Sequence, residues 1–421
     1  MPLNFLKKLA AGLGQGKVDG ASHWRALGTL DQGHIDGACF AMDRHGRGHA
    51  LWGNSGKLWT QQLGPGVKES LGRFPLSDGR DPSMAMNLEG RGVAVWILDA
   101  IFQREIMGLP FDPTSEERPA IRSLFKSSGE IRHMQLAVDR RGNAMIVWCQ
   151  EDQGSWEILI KTFDIRSKAW VEEPTRLGAT VRYDPEPRLA MNRKGQACVV
   201  WQERTPGAEG LVVSHFFPSG KQWSDHPMPL ASGLLQEHRV AMDMAGNIMA
   251  LWVIQTYGKR PTIEASMFSA LDAEWREPQI LATAHKIHDL QLAMTGTGEA
   301  LALWRQSEGT ALSFLHSKAF RDDAWEDRLI RLDAEGGQAG DFTLALGAKS
   351  QAALLSIQHS ANGDVPVVRS RELQWDPPIH LSQGSKLPLS HPILAVCPKG
   401  VVAMWQVGTG SGVILKMAHS K

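Results

Sequence analysis

A short phrase of apolar and polar residues recurs along the chain. Three or four apolar residues precede an Asp or Asn, a Gly follows three positions later, and a second apolar run ends at Trp. In one clear copy, Ala190 lies in the first run, Asn192 begins the turn, Gly195 ends it and Trp201 closes the second run. Short apolar runs joined by such a turn predict two antiparallel β-strands, because Asp or Asn binds the turn backbone and Gly accepts a positive φ.

Eight copies of this phrase fill the chain at a nearly constant spacing of about 50 residues, the range of propeller repeats. After each copy come a polar loop, a third strand and a strand opened by a second Trp. Four strands per repeat are typical of a β-propeller blade. The predicted innermost strands are marked by Ala41, Ala85, Ala137, Ala190, Ala241, Ala293, Ala345 and Ala395.

The two ends of the chain supply complementary strands. The eighth copy ends after its third strand, whereas residues 24–30, opened by Trp24, form an extra strand before the first copy. We therefore predict an all-β, eight-bladed β-propeller in which residues 24–30 complete the last blade, since closure removes the unpaired sheet edge. Residues 21–421 are predicted to form this single domain, and residues 1–20 an N-terminal tail.

The turn of the repeat resembles the NHL-type repeats of bacterial β-propeller proteins. Residues 139–143 and 243–247 carry the Asp-x-x-Gly-Asn turn that marks the resemblance. The resemblance implies a propeller of bacterial origin. Because the shared motif is a turn, the resemblance transfers no functional residue to this chain.

Composition and charge argue against some classes of function. The chain has 45 Lys+Arg and 45 Asp+Glu, and this neutrality argues against a nucleic-acid partner. No apolar run is long enough to predict a transmembrane segment, although the tail leaves a weak N-terminal membrane contact as an alternative. The four cysteines show no CxxC pairing, which favours reduced thiols and a cytoplasmic location.

Acidic and histidine side chains recur four residues before most of the marker alanines, at the predicted channel mouth. Carboxylates and imidazoles that converge there could hold a divalent cation or a cationic ligand. In the structural alternative, each side chain accepts backbone N–H bonds and fixes the segment that leads into its strand. The candidates are Asp81, His133, Glu186, Glu237, Asp289, Asp341 and His391.

The loops after the second strands differ between blades, which suits recognition of a partner by a rigid scaffold. Their candidates are Arg204, Arg305 and His359, and residues 102–128 are interpreted as an insert that either docks a partner or covers its own blade. We expect a non-catalytic protein-binding scaffold or accessory factor. The alternatives are an enzyme with a cation-dependent site at the channel mouth and a carbohydrate-binding propeller, for which Trp59 and Trp156 lie outside the repeated Trp positions. No cofactor is predicted, and a divalent cation stays an open alternative.

Overall fold

A computed structural model describes most of the chain, and its described residues form strands, turns and loops without a helix. Within them, therefore, no helix is long and apolar enough to cross a membrane. The described ranges are 24–63, 74–112, 120–178, 183–205, 208–309, 312–333, 338–347, 351–372, 374–382, 384–398, 400–409 and 412–420. The predicted tail, residues 1–20, lies outside them.

The strands form eight antiparallel sheets, which are the blades of the predicted eight-bladed β-propeller. The described chain divides into two compact units, one holding the residues up to Ser77 together with those from Arg331 onward, and the other spanning Asp78–Ile330. The prediction that residues 21–421 form one domain stays a prediction.

The first unit holds blades 1, 7 and 8, numbered by the order of their innermost strands. Blade 1 is β2 (Ile35–Met42), β3 (Gly48–Asn54), β4 (Lys57–Leu63) and β5 (Phe74–Asp78). Blade 7 is β30 (Gln338–Leu346), β31 (Ala352–Ser360), β32 (Gly363–Arg371) and β33 (Ile379–His380). Blade 8 is β34 (Leu389–Cys397), β35 (Gly400–Thr409), β36 (Gly412–Ser420) and the N-terminal β1 (Trp24–Gly33).

The second unit holds blades 2 to 6. Blade 2 is β6 (Arg80–Met86), β7 (Gly92–Ala100), β8 (Gln103–Phe111) and β9 (Arg122–Ser127). Blade 3 is β10 (Ile131–Val138), β11 (Ala144–Asp152), β12 (Ser155–Asp164), β13 (Ala169–Trp170) and β14 (Thr175–Arg176). Blade 4 is β15 (Arg188–Met191), β16 (Ala197–Thr205), β17 (Ala208–Phe217), β18 (Gln222–Trp223) and β19 (Met228–Ser232). Blade 5 is β20 (Leu234–Met242), β21 (Ile248–Gln255), β22 (Thr262–Ser269), β23 (Glu274–Trp275) and β24 (Gln279–Thr283). Blade 6 is β25 (Lys286–Met294), β26 (Ala300–Ser307), β27 (Phe314–Arg321), β28 (Ala324–Trp325) and β29 (Ile330–Arg331).

The predicted closure of the last blade is confirmed. Strand β1 pairs antiparallel with β36, from Trp24 opposite Ser420 to Gly33 opposite Val413. Asp31 in β1 is buried, and its carboxylate accepts hydrogen bonds from the indole N–H of Trp52 at 2.8 Å and from Asn54 at 2.9 Å. The N-terminal strand therefore also satisfies polar groups of blade 1.

The hydrophobic cores lie between neighbouring blades. One core joins β21 and β22 of blade 5 to β25 and β26 of blade 6, and contains the fully buried Trp304. Apolar residues of the second strand fill these layers, which explains why that strand reads as a continuous apolar run rather than an alternating one. The tryptophans that close the second strands are all buried: Trp52, Trp96, Trp148, Trp201, Trp252, Trp304 and Trp405.

Two sequence interpretations need correction. The second Trp does not open a continuous fourth strand: in blades 3 to 6 it lies in a two-residue strand that is separated from a second outer piece, and Trp375 forms only an isolated bridge with Arg371. Residues 102–128 are not an insert, because they supply the third and fourth strands of blade 2, β8 and β9.

Candidate functional site

The predicted channel-mouth positions are points of unusual backbone geometry, and most of them take a left-handed conformation. In nearly every blade the pairing of the innermost strand shifts register at or just before this position, as between Arg132 and Gln135 in β10. The left-handed residues are Gly37, Asp81, His133, Glu186, Asp289 and His391, with φ between 46° and 82°. Gly accepts this conformation without strain, and Asp and His are enriched there. The β-bulge therefore gives a backbone reason for the recurrence of Asp, His and Gly at these positions.

The bulge positions of blades 5 and 6 are joined through the backbone. The carboxylate of Glu237 accepts the N–H groups of Asp289 and Leu290, each at 2.8 Å. Asp289 itself pairs with Arg305 and accepts from His288 Nδ1 at 2.7 Å. The His288 hydrogen bond and the Arg305 guanidinium lower the pKa of Asp289 to about 2. These carboxylates are thus engaged by partners within the protein.

In the first unit, Asp341 accepts a backbone N–H from the bulge of the next blade, as Glu237 does in the second unit. Its Oδ2 accepts the backbone N–H of His391 at 3.2 Å, and the His391 imidazole lies 2.9 Å from the hydroxyl of Ser390. Asp341 thus contributes to fixing the bulge near the start of β34.

A chain of ion pairs connects blades 2, 3 and 4. Arg80 contacts Asp81 and lies 2.6 Å from Asp99. The chain continues through Arg104 and Glu130 at 3.1 Å and ends with Arg132 and Asp184 at 3.4 Å. Glu186, two residues further on, pairs with Arg188 at 3.2 Å. Positive and negative charges therefore alternate across this part of the second unit.

The predicted loop residues also have partners inside the chain. Arg204 pairs with Glu209 at 2.9 Å and lies 5.3 Å from the ring centre of Tyr183. Arg305 binds Asp289, as described above, and His359 Nδ1 lies 2.7 Å from Asp364.

His133 lies beside two potential metal ligands, a cluster that the sequence analysis did not identify. Its Nε2 is 2.9 Å from Asp184 Oδ2, and the Cys149 thiol donates to Asp184 Oδ1 at 3.5 Å. One donor atom from each of these three residues lies within 4.8 Å of the other two. Cys149 is fully buried, as predicted for a core thiol. Asp184 lies 51 residues after His133 in a connecting segment without a motif, so no sequence signal marked it.

Exposed apolar side chains lie at the same ends of the blades as the bulges. The β7–β8 turn carries Ile101 and Phe102, whose side chains are 92% and 91% exposed. This turn follows Asp99, the partner of Arg80 at the blade 2 bulge. In blade 5 the loop between β21 and β22 carries the fully exposed Tyr257.

The two tryptophans outside the repeated positions have different surroundings. Trp59 faces Trp52 across the β3–β4 ladder and packs on the core that contains Trp52. Trp156 lies under the guanidinium of Arg132, whose carbon is 5.2 Å from the ring centre. Trp59 is thus a blade-core residue, and Trp156 belongs to the charged end of blade 3.

Comparison with known proteins identifies the fold. No protein-family model matches the chain, and no curated protein matches it. Among solved structures, the Dos1 propeller is similar with a TM-score of 0.53 at 10% identity, over 94% of this chain and 95% of that one. Polysaccharide lyase Uly1 is similar with a TM-score of 0.50 at 9% identity, over 98% of this chain and 95% of that one. A family PL25 ulvan lyase bound to a GlcA–Rha3S saccharide gives 0.50 at 9% identity, over 93% and 95%. At these identities the likeness shows the fold alone.

Proposed function

We propose that this chain is a non-catalytic protein-binding scaffold, and that the β7–β8 turn of blade 2 anchors the partner. The observation that carries this proposal is the pair Ile101 and Phe102, two large apolar side chains more than nine-tenths exposed on a two-strand turn. Large apolar groups held out on a rigid element are typical of protein-recognition surfaces. Aromatic anchors surrounded by polar groups frequently dominate the binding energy.

The carboxylates at the bulge positions are engaged within the protein, which supports a docking role over a catalytic cation held by those carboxylates. A catalytic metal needs several ligands and an open coordination position. In this protein Asp81, Glu186 and Asp289 are each paired with an arginine, and Glu237 accepts two backbone N–H groups. Such paired charges can still give a partner a defined electrostatic pattern.

The test is affinity capture from the native lysate with the wild-type chain and the double variant Ile101→Ser/Phe102→Ser. We expect the wild type to retain a specific protein and the variant to lose at least tenfold of it. Leu271→Ser is the matched control, because Leu271 is 92% exposed but lies in the turn between β22 and β23, at the opposite end of its blade. Equal capture by the wild type and the double variant would contradict the proposed anchor.

Carbohydrate binding is a second candidate, for which Trp156 at the charged end of blade 3 provides a stacking surface and Arg132 a cation. Two similar folds are polysaccharide lyases. A glycan array that includes acidic polysaccharides tests this candidate: binding by the wild type that Trp156→Ala abolishes would favour it over the scaffold, and an empty array would remove it.

The origin and location of the protein are also proposals. The NHL-type resemblance is supported by the turn at Asp139, where the carboxylate accepts three backbone N–H groups and the side chain of Asn143. A bacterial cytoplasmic protein is expected from this resemblance together with four free cysteines. Fractionation of cells that express the full chain would test the location.

A further inference from the structure

The cluster formed by His133, Cys149 and Asp184 has the composition of a transition-metal site. It combines an imidazole nitrogen, a sulfur and a carboxylate oxygen within 4.8 Å of one another. His133 comes from the bulge of β10, Cys149 from β11, and Asp184 from the segment before β15. Two hydrogen-bonded strands and a neighbouring segment therefore bring the three donors together.

We propose that His133, Cys149 and Asp184 bind a zinc-class divalent cation as a three-ligand site with a fourth position open to solvent. The sulfur donor decides the metal class, because Ca²⁺ and Mg²⁺ prefer oxygen ligands whereas Zn²⁺ and Co²⁺ accept thiolate, imidazole and carboxylate together. This site is separate from the proposed protein anchor, and neither proposal depends on the other.

The spacings from the two Asp184 oxygens to the His133 nitrogen and the Cys149 sulfur are close to those of neighbouring donors in a tetrahedral site. Metal–ligand bonds of about 2.0–2.3 Å place neighbouring tetrahedral donors roughly 3.3–3.6 Å apart. His133 Nε2 and Asp184 Oδ2 are 2.9 Å apart, and Cys149 Sγ is 3.5 Å from Asp184 Oδ1. A cation would replace the hydrogen bonds that now hold these atoms. Asp184 would present one oxygen to it, and His133 and Cys149, whose donor atoms lie within 4.8 Å of that carboxylate and of each other, would move toward the same point.

Burial supports an open fourth position on one side of the cluster. Cys149 is fully buried, whereas the side chains of His133 and Asp184 are 28% and 26% exposed. A cation held between them would have the thiolate on its inner side and water on its outer side. Three protein ligands with one open position distinguish such a site from the closed four-ligand sites of structural zinc.

The protons and charges of the site balance. The Cys149 thiol donates a hydrogen bond to Asp184 Oδ1, so the sulfur carries its proton before metal binds. On binding, the S–H bond breaks, a bond from sulfur to the metal forms, and the proton passes to the solvent. The thiolate and the Asp184 carboxylate then neutralise the two charges of the cation.

One neighbouring cation opposes the metal. The guanidinium of Arg132 lies 3.4 Å from Asp184 Oδ2. Its side chain is half exposed and rests on Trp156, with Glu130 as a further partner at 4.0 Å, so it retains partners when Asp184 turns to the metal. The backbone N–H of Glu186 continues to orient Asp184 through Oδ1 at 3.3 Å.

The chain contains a matched pair of residues that lacks the sulfur. His288 Nδ1 lies 2.7 Å from Asp289 Oδ2 at the equivalent bulge of blade 6, and among the described residues this pair forms no three-donor cluster with a thiol. Cys198 is a second control, since it is fully buried but lies outside that cluster. His288→Gln and Cys198→Ser should therefore leave metal binding unchanged.

The experiment is titration of the chelator-treated full chain with Co²⁺ alone, followed by Zn²⁺. We expect one Co²⁺ per chain, a thiolate-to-cobalt charge-transfer absorption, release of one proton and displacement by Zn²⁺. Cys149→Ser should abolish the charge-transfer band, and His133→Gln and Asp184→Asn should each weaken binding at least tenfold. Circular dichroism of every variant verifies folding, and the His133 and Asp184 variants decide the question if Cys149→Ser does not fold.

Three results would overturn the proposal. The first is a wild-type titration without a charge-transfer band, which would mean that no thiolate binds the metal. The second is a band that persists in folded Cys149→Ser. The third is an equal loss of affinity in His288→Gln or Cys198→Ser, which would show that binding is not localised at this cluster.

Discussion

The turn that begins at Asp243 in blade 5 depends on one buried carboxylate. Its Oδ1 accepts the N–H groups of Ala245, Gly246 and Asn247, each at 2.8 Å, and its Oδ2 accepts the Asn247 side chain at 2.7 Å. Asp243 is 3% exposed, and its backbone carbonyl also accepts from Asn192 of blade 4 at 2.9 Å. Asp243→Ala removes all four side-chain hydrogen bonds at once.

The expected cost is about 3 kcal/mol of unfolding free energy. A hydrogen bond to a charged group contributes roughly 1.5–3 kcal/mol, and a buried donor left without an acceptor costs about 1–3 kcal/mol. The amide of Gly246 lies in a buried residue and keeps only its longer bond of 3.3 Å to the Asp243 carbonyl, whereas Ala245 is exposed and its amide can bind water instead. For a cooperative unit of this size, about 3 kcal/mol lowers the Tm by roughly 6 °C or more.

Thermal unfolding followed by circular dichroism measures this effect against two controls. Asp243→Asn keeps the three backbone bonds and loses the one from Asn247, so we expect a cost of about 1 kcal/mol. Glu277→Ala removes an exposed carboxylate between β23 and β24 of the same blade and should change the Tm by less than 1 °C, as expected for a surface substitution. An Asp243→Ala protein as stable as the wild type, or an Asn variant as unstable as the Ala variant, would refute the assigned hydrogen bonds.

Two further predictions concern buried polar groups. Asp31→Ala should cost about 2 kcal/mol, because Trp52 and Asn54 lose their common acceptor; an unchanged Tm would contradict this. Burial, with nearby arginines, lowers the pKa of the fully buried His238 to about 3. Below pH 6.5 the unfolded state therefore binds more protons than the folded state, and the free energy of unfolding decreases as the pH is lowered. Urea unfolding at pH 7 and 5 should show that His238→Leu loses about 2 kcal/mol less than the wild type, and equal losses would exclude this role.

The sequence predicts the blades well because their determinants are local and repeated. A turn such as the one at Asp139 encodes its own hydrogen bonds within five residues, and the buried Trp148 lies nine residues further on. The closing strand is predictable for a different reason: the last copy lacks a strand, and the residues from Trp24 onward supply it. The breaks in the outer strands after Trp170 and Trp223 do carry a local signal, since Pro174 and Pro227 lie in the gaps and cannot donate to a strand ladder, but the sequence interpretation did not use it.

The candidate site is only partly predictable, since it depends on contacts between segments far apart in the chain. The spacing identifies His133 as one of a repeated set, but that set reflects the left-handed bulge as well as any ligand. The sequence predicts Cys149 as a core thiol, and in the structure this thiol also donates a hydrogen bond to Asp184. Asp184 lies outside the repeat, so no spacing rule could assign it to the cluster.

Residues that recur in most blades and residues found in one blade have different roles in this fold. A residue type that recurs at the bulge of most blades meets a requirement of the backbone. The carboxylate of Asp289 is paired with an arginine, and that of Glu237 accepts backbone N–H groups. Function is better sought where one blade departs from the others. Blade 3 departs at the bulge of β10, where the thiol of Cys149 in β11 and the carboxylate of Asp184 in the following segment join His133. Blade 2 departs at its β7–β8 turn, where two adjacent large apolar side chains, Ile101 and Phe102, are each more than nine-tenths exposed. Because these two departures involve different residues and different chemistry, metal titration and partner capture should separate them: loss of one activity in its own variants should leave the other intact.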